Sequence, residues 1–348
     1  MKRLPIKQGL NPTRAQVPRS WPGPVAAAEF VWFLIDNQRH RAPTDSFSAV
    51  LSRFSRGEVL SDAGTRLRPF DAVHPGSFVN FYRAPAPERE VPGDIHVLHQ
   101  DDTLVVIDKP PFLSTMPRGQ HISQTALVKA RVQLGIPELS PSHRLDRLTR
   151  GVLMFTARRE ARGAYQTMFE RREATKIYEA LTPRRGSAPF APIERFADWH
   201  QWPAPSEDQP WTLTHHMVKI RGHLSTYVVE PPAGAAAAVP PEANAVTHVL
   251  GVREDVRDGR DVLVWRLKPA TGKTHQLRVV LRSLGLPIIN DPLYEELSDA
   301  ALHDPSAPTP HPPFADEEDF SRPMGLIAKE LRFTDPLTGE LRRFISNY

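Results

Sequence analysis

The feature that most constrains the fold is a series of short apolar runs, each bounded by proline, glycine or charge. TLVVIDKP (103–110), GVLMFTA (151–157), TKIYEALT (175–182), LSTYVVE (224–230), VTHVLGVRE (246–254) and VLVWRLKP (262–269) all have strand composition. Smaller strand-like pieces fall around Val59 and at Val79–Tyr82. Helical spacing is confined to fewer places. It appears at 46–54 (Phe47, Val50, Leu51, Phe54), at Arg162–Phe169, and at 274–284 (Leu277, Val280, Leu281, Leu284). Strands outnumber helices and the connections are irregular. The expected class is therefore α+β, a mixed, largely antiparallel central sheet flanked by helices, rather than a doubly wound fold.

The connections are proline-rich. The chain has 36 prolines in 348 residues, about twice the usual share of ~5%. Residues 1–43 read as a basic, Pro-rich N-terminal arm, and the stretch 84–95 as a linker. Two domains follow: a small one at 44–93 including the linker, and a larger one at 94–348. The Ala/Pro run at 231–243 is expected to be a loop between strands. The acidic, Pro-rich stretch 297–323 is expected to be an exposed, mobile insertion.

Charge is unevenly placed. The net +4 is the balance of +5 over 1–93, +6 over 94–284 and −7 over 285–348. A basic body suits a polyanion such as nucleic acid, although charge alone fits a solvated surface as well. No cysteine is present, which removes disulfides, thiol nucleophiles, thiolate zinc sites and iron–sulfur clusters. No apolar run reaches the ~18 residues of a membrane span, and the basic N-terminus has no apolar core of a secretory signal. A cytoplasmic protein is expected. ATGKTH fails as a phosphate-binding P-loop because Leu267 stands where that loop needs glycine. GxSxG, GxGxxG and HExxH are absent, and the histidines lack metal-ligand spacing.

The segment PSHRLDRLTRGVLMFTA (141–157) is the most specific. Asp146 falls in a turn just before a hydrophobic strand, flanked by Arg144, Arg147 and Arg150. Residues 144–176 hold nine basic and four acidic side chains. A carboxylate among guanidinium groups stays ionised, available as a nucleophile or base beside phosphate-attracting groups. A loop cap or a structural salt bridge would use the same residues.

HRLDRLTRG (143–151) is similar to the HRLDxxTSG signature of the RluA-type pseudouridine synthases, which isomerise uridine in ribosomal and transfer RNA. TKIYEAL resembles their second motif, with its tyrosine at Tyr178. LKPATGKTHQLRVVLRSLGLPIINDPLY resembles the third, with its basic residue at Arg278. VIDKPPFLST and LIAKELRFTDPLTGELRRF resemble further landmarks, so the likeness covers roughly 95–348. Three departures stand out: Arg150 in place of Ser or Ala, Val280 in place of histidine, and Asn290 in place of glycine. They bear on the RNA target, not on the reaction.

The resemblance implies a pseudouridine synthase fold at 94–348, and more loosely a small alpha-L-like RNA-binding domain at 44–93. It also implies a reaction in which the N1–C1′ bond breaks, the uracil turns, and a C5–C1′ bond forms. Asp146 would attack C1′ or remove a sugar proton; both remain open. Arg278 would pair with Asp146, and Tyr178 would stack on the displaced base. The target base must leave its stack, and Arg144 would enter the gap. His143 and Arg147 would support the loop, and Leu277 and Ile288 would line the apolar side of the pocket. Arg144, Arg147, Lys176, Lys273, His275, Arg53 and Arg56 are the expected RNA contacts, with Arg66 and Arg68 also available. No metal, nucleotide or redox cofactor is expected; the partner is structured RNA and the protein a monomer. Two rivals are a non-catalytic RNA-binding or ribosome-assembly protein, and a glycosidic-bond hydrolase. The second would need a water-activating partner carboxylate.

Overall fold

The computed structural model describes residues 4–184, 186, 190–230, 243–311 and 317–348. The expected loop at 231–243 therefore lies almost wholly outside the described residues, as does the stretch 312–316 of the acidic insertion. The chain divides into two compact units, Met1–Glu90 with Met116–Leu139, and Val91–Thr115 with Ser140–Tyr348. In space the division is thus not a single cut in the sequence.

The first unit holds β1 (Thr13–Gln16), β2 (Val25–Ala26), α1 (Ala27–Asp36), α2 (Phe47–Ser55), β3 (Val59–Ser61), β4 (Ala72–Val73), β5 (Phe78–Phe81) and α3 (Ala126–Leu134). β5 lies between β1 and β3, antiparallel to both, and β2 pairs with β4. Its core joins Val17, Phe30, Val31 and Ile35 to Val50, Phe54, Val59 and Phe81. The 1–43 stretch is therefore no arm: β1 extends a sheet and α1 supplies core. β1 is four residues long between Pro12 and Pro18, and α1 lies in the nearly continuous apolar run 25–35, which shows no helical alternation. α2 and α3 start where Ser46 and Thr125 accept the amides of Ala49 and Val128, satisfying N–H groups that a helix start leaves bare. α3 ends at Gly135 in the left-handed region.

The second unit is built on one sheet. Its elements are β6 (His96–Gln100), β7 (Leu104–Lys109), β8 (Ser140–Pro141), β9 (Arg150–Thr156), α4 (Arg162–Glu170), β10 (Thr175–Pro183), β11 (Trp211–Val218), β12 (Tyr227–Val229), β13 (Ala245–Arg257), β14 (Arg260–Pro269), α5 (Gln276–Ser283), α6 (Asp299–His303), β15 (Leu326–Thr334) and β16 (Leu341–Ile345). The strand order is β12-β11-β13-β14-β10-β15-β9-β7-β6, with β16 beside β15 and β8 beside β9. Only β9 and β15 pair in parallel among the described strands. The fold is α+β with a mixed, largely antiparallel sheet, as the strand runs imply.

Strands β7 and β9 lack the alternation of a half-exposed strand. Every residue of β7 is buried, as are six of the seven in β9, the mark of a strand covered on both faces. On one face α4 lays Tyr165 and Met168 against Leu104, Val106, Val152, Met154 and Leu331.

A single row of residues crosses this sheet. Lys109 of β7 pairs with Gly151 of β9, Gly151 with Ala328 of β15, Ala328 with Tyr178 of β10, and Tyr178 with Leu267 of β14. At ~4.8 Å per strand, the end of the Asp146 segment sits about 10 Å from the Tyr178 backbone. Gly151 is required at this crossing. Its φ is +111°, and a Cβ there would run into the backbone of Ala328. Gly151→Ala should therefore lower the melting temperature sharply. Backbone strain alone is worth about 1–3 kcal/mol, and an unchanged melting curve would refute the requirement.

The described residues of the acidic stretch 297–323 are mostly exposed, as expected, but the stretch is anchored at a few points. Ala301 and Leu302 are fully buried, and Glu318 is 6% exposed. α6 begins on a Ser298 cap, and Arg282 of α5 donates to the carbonyl of Leu297 and the carboxylate of Asp299.

Candidate active site

The HRLDRLTR segment spans the loop between β8 and β9. Its backbone is held on both sides of Asp146. The Leu145 amide donates to Thr115 Oγ1 at 3.0 Å, and that hydroxyl donates to the Leu145 carbonyl at 2.8 Å. The Thr149 amide donates to the Asp146 carbonyl at 3.1 Å. Lys109 Nζ donates to the carbonyls of Pro110, Leu113 and Arg147 at 2.9, 2.8 and 3.1 Å. Burial and the Arg147 guanidinium pull this amine down to about 7, opposed by Asp146. Three carbonyl acceptors call for three N–H donors, so the ammonium form fits the cage better than the amine.

His143 opens the segment. The Met154 amide donates to its Nε2 at 3.2 Å, and its ring lies 4.7 Å from that of Phe169. Burial, then Lys176, holds it neutral with its pKa lowered to about 3. The next residue, Arg144, is exposed and makes no ion pair with a described residue.

Asp146 is partly exposed. Its charge acts on three groups from other parts of the chain: Lys109, Tyr178 and Arg278. Tyr178 owes its placement to an irregularity in the β10–β15 register between Ile177 and Tyr178, a device that re-aims a side chain. Burial and then Asp146 raise its hydroxyl above the ordinary value, so it stays protonated at neutral pH.

Arg278 differs from the expected pairing. It does not bond Asp146; its Nε and Nη2 donate to the two oxygens of Asp291 at 2.6 and 2.7 Å. Desolvation opposes its charge, but the charge and hydrogen bonds of Asp291 outweigh that and raise it above its ordinary value. Its guanidinium also lies 4.9 Å from the ring centre of Tyr294. The reason lies in sequence: Asp291 stands 13 residues on, at the end of the turn that follows α5, whereas Asp146 is met only through the sheet. Asp291 in turn accepts the amides of Leu293 and Tyr294. A buried, paired guanidinium this constrained keeps one orientation.

Other expected contacts are also engaged. Arg147 is bound bidentately by Glu318 at 2.6 and 2.7 Å, so it does not offer a free fork to phosphate. Arg53 is buried, donating to Asp45 and to the Tyr82 carbonyl, and serves the core of its own unit. Arg56 pairs with Glu58 yet remains exposed. His275 has φ +57° at the start of α5 and meets the Tyr294 hydroxyl at 3.1 Å. Burial, then Arg278 and Lys219, holds it neutral, lowered to about 2. Lys176 is partly buried and lowered by burial and Arg172, while Lys273 is exposed. Leu277 and Ile288 are buried, Ile288 fully, so Ile288 belongs to the core and lines no open surface.

Sequence reading missed Lys109, Thr115, Asp291, Tyr294 and Glu318. Asp291 carried a signal, an acid inside the apolar run LPIINDPLY; Glu318 carried none. Asn290 shows why glycine suits its place: its φ is +58°, which asparagine tolerates better than most residues. Phe112, His275 and Asn290 are non-glycine residues with φ near +60°, and strain of this kind gathers at functional sites. A separate cavity of about 550 Å³ is lined by residues such as Ile193, Arg195, Glu230 and His303. None of its lining residues is among the groups that feel the Asp146 charge.

Residues 103–283, more than half of the chain, match the RNA pseudouridylate synthases. The chain belongs to that family, one of isomerases acting on RNA. Within it, the chain is of the RluA type. It is 26% identical over 248 residues to the dual-specificity RNA pseudouridine synthase RluA of Vibrio vulnificus, covering 71% of this chain and 80% of that one. The tRNA pseudouridine(31) synthase of Saccharomyces cerevisiae is 28% identical over 208 residues, 59% of this chain and 48% of its own length. The ribosomal large subunit pseudouridine synthase D of Pseudomonas aeruginosa is 25% identical over 268 residues, 72% and 70%. The chain thus spans under half of the yeast relative and more of the bacterial ones. No helix among the described residues is long and apolar enough to cross a membrane.

Three histidines held neutral set a pH dependence, His215 fully buried and His143 and His275 partly buried. His143, His215 and His275 all lie below the ordinary 6.5. Below that pH the unfolded chain takes up protons that the native protein refuses, so stability rises with pH and falls on acidification. Each contributes up to about 1.4 kcal/mol per pH unit below pH 6. Urea midpoints should drop between pH 7 and 5, and the drop should shrink in His275→Asn; flat midpoints would contradict neutral burial.

Proposed function

We propose that the protein isomerises uridine to pseudouridine in structured RNA, with Asp146 as the reacting carboxylate. One observation carries this reading. Gly151, which closes the Asp146 segment, lies in one cross-strand row with Lys109 and Tyr178, and the Asp146 charge bears on Lys109, Tyr178 and Arg278.

The chemistry follows from the groups. The uridine is flipped from its stack, because its C1′ is otherwise unreachable. Arg144, exposed and beside the loop, fills the gap or contacts phosphate. Asp146 adds to C1′ or removes a sugar proton, and the N1–C1′ electrons pass to the uracil ring. The base turns against the Tyr178 ring and C5 bonds to C1′ as the Asp146–C1′ bond breaks or, on the other route, as Asp146 returns the sugar proton; the C5 proton then leaves while N1 gains one. The net change is zero in electrons and protons. Arg278 acts at longer range than expected, as a cation fixed by Asp291 that offsets negative charge in the pocket. The names of the relatives favour transfer or ribosomal RNA as target.

The hydrolase alternative is weakened by the pairing around Asp146. Asp291 and Glu318 are each bound bidentately by arginine, which leaves neither suited to activate water. Incubation with unmodified transfer and ribosomal RNA transcripts should yield pseudouridine. Asp146→Asn should yield none while still binding RNA; equal product from it would end the assignment, and free uracil would favour hydrolysis. Arg66 and Arg68, exposed on the first unit, are proposed phosphate contacts. Reversing both to Glu should reduce the salt slope of RNA binding by up to about two phosphates, ~0.7–0.9 each; an unchanged slope would make that unit structural.

A further inference from the structure

Glu318 belongs to the acidic stretch that composition assigns to solvent, yet its side chain is 7% exposed and that of its partner Arg147 is 23% exposed. Arg147 follows Asp146 directly. Its Nη1 and Nη2 meet the two Glu318 oxygens at 2.6 and 2.7 Å, and Nη1 also reaches the Phe112 carbonyl at 3.3 Å. The Phe112 ring, on a backbone at φ +67°, packs 5.1 Å from the ring of Phe320. Two residues of one short segment thus engage the Asp146 loop and the turn beneath it, which also presents the Leu113 carbonyl to Lys109.

Buried ion pairs roughly break even against apolar packing of the same shape. Stability is therefore a poor account of this one, and geometry a better one. Leu145 is fixed through its backbone by Thr115, and the Arg147 backbone by Lys109. The one side chain next to Asp146 on its C-terminal side is fixed by Glu318. Removing that restraint leaves the peptide that carries the carboxylate held by its backbone bonds alone.

We propose that Glu318 is a positioning residue for the reaction, clamping Arg147 so that Asp146 is held at its reacting position. This rests on the reading of Asp146 given above. The competing role, a carboxylate that occupies the place of an RNA phosphate, would require breaking the bidentate Arg147–Glu318 pair and separating the Phe112–Phe320 contact each time RNA binds.

The two roles predict opposite results. Glu318→Gln and Glu318→Ala should slow pseudouridine formation at saturating transfer or ribosomal RNA transcript by on the order of 10- to 100-fold. The Kd for RNA should stay within about twofold, since Arg147 makes no phosphate contact to lose. Glu318→Asp should recover part of the rate, and hydrogen exchange over 143–150 should quicken in Glu318→Ala. Unchanged rate, or unchanged exchange, would overturn the proposal. Tighter RNA binding with equal or faster turnover would overturn it in favour of the phosphate-mimic role. Absence of product from the wild type would strike the proposed reaction instead, and the exchange comparison would still decide whether Glu318 holds the loop.

Discussion

The parallel pairing of β9 with β15 governs this protein. It places Gly151 against Ala328, and through Ala328 it aligns Lys109, the start of the reactive loop's strand and Tyr178 in one row. A residue with a side chain at 151 would push the two backbones apart, and a one-residue slip would turn every side chain of the strand to the other face. The position of the Asp146 loop relative to Tyr178 is thus set by hydrogen-bond register before any side chain acts.

Charge pairing does the rest. Around Asp146 three cations are engaged by other groups: Arg147 by Glu318, Arg278 by Asp291, Lys109 by carbonyls. Each pair holds a group at an angle, and the pairs leave Asp146 as a carboxylate with no hydrogen-bonded partner among the described residues. The proposed role of Asp146 as the reacting carboxylate fits this arrangement. Its neighbours shape its field without occupying its oxygens.

Much of this was legible in the amino-acid order, and the limits have physical causes. The strand runs and the helix at 276–283 showed themselves because their periodicity is imposed by burial. The HRLD segment identified Asp146, and its place in a loop before β9 follows from polar residues giving way to an apolar run. Pairing partners were less visible. Arg278 was assigned to Asp146 because both carry the chemistry, but Asp291 is nearer along the chain and reaches it without crossing the sheet. β1 was hidden by its shortness between Pro12 and Pro18, and α1 by an apolar run too continuous to show a helical period. Glu318 was invisible because a buried acid and a solvated one look the same until the arginine that meets it is known.

Strand β15 lies between β10 and β9, yet it occupies residues 326–334 near the end of the given sequence. Any chain made from the N-terminus must therefore keep β9 and β10 apart, with an open seam between them, while ~180 further residues are added. At roughly 5–20 residues per second that wait lasts on the order of 10–40 s. During it β9, apolar on both faces, has one edge without a partner. Nascent chains of this fold should depend on shielding of that edge, and they cannot close the sheet until β15 has been made.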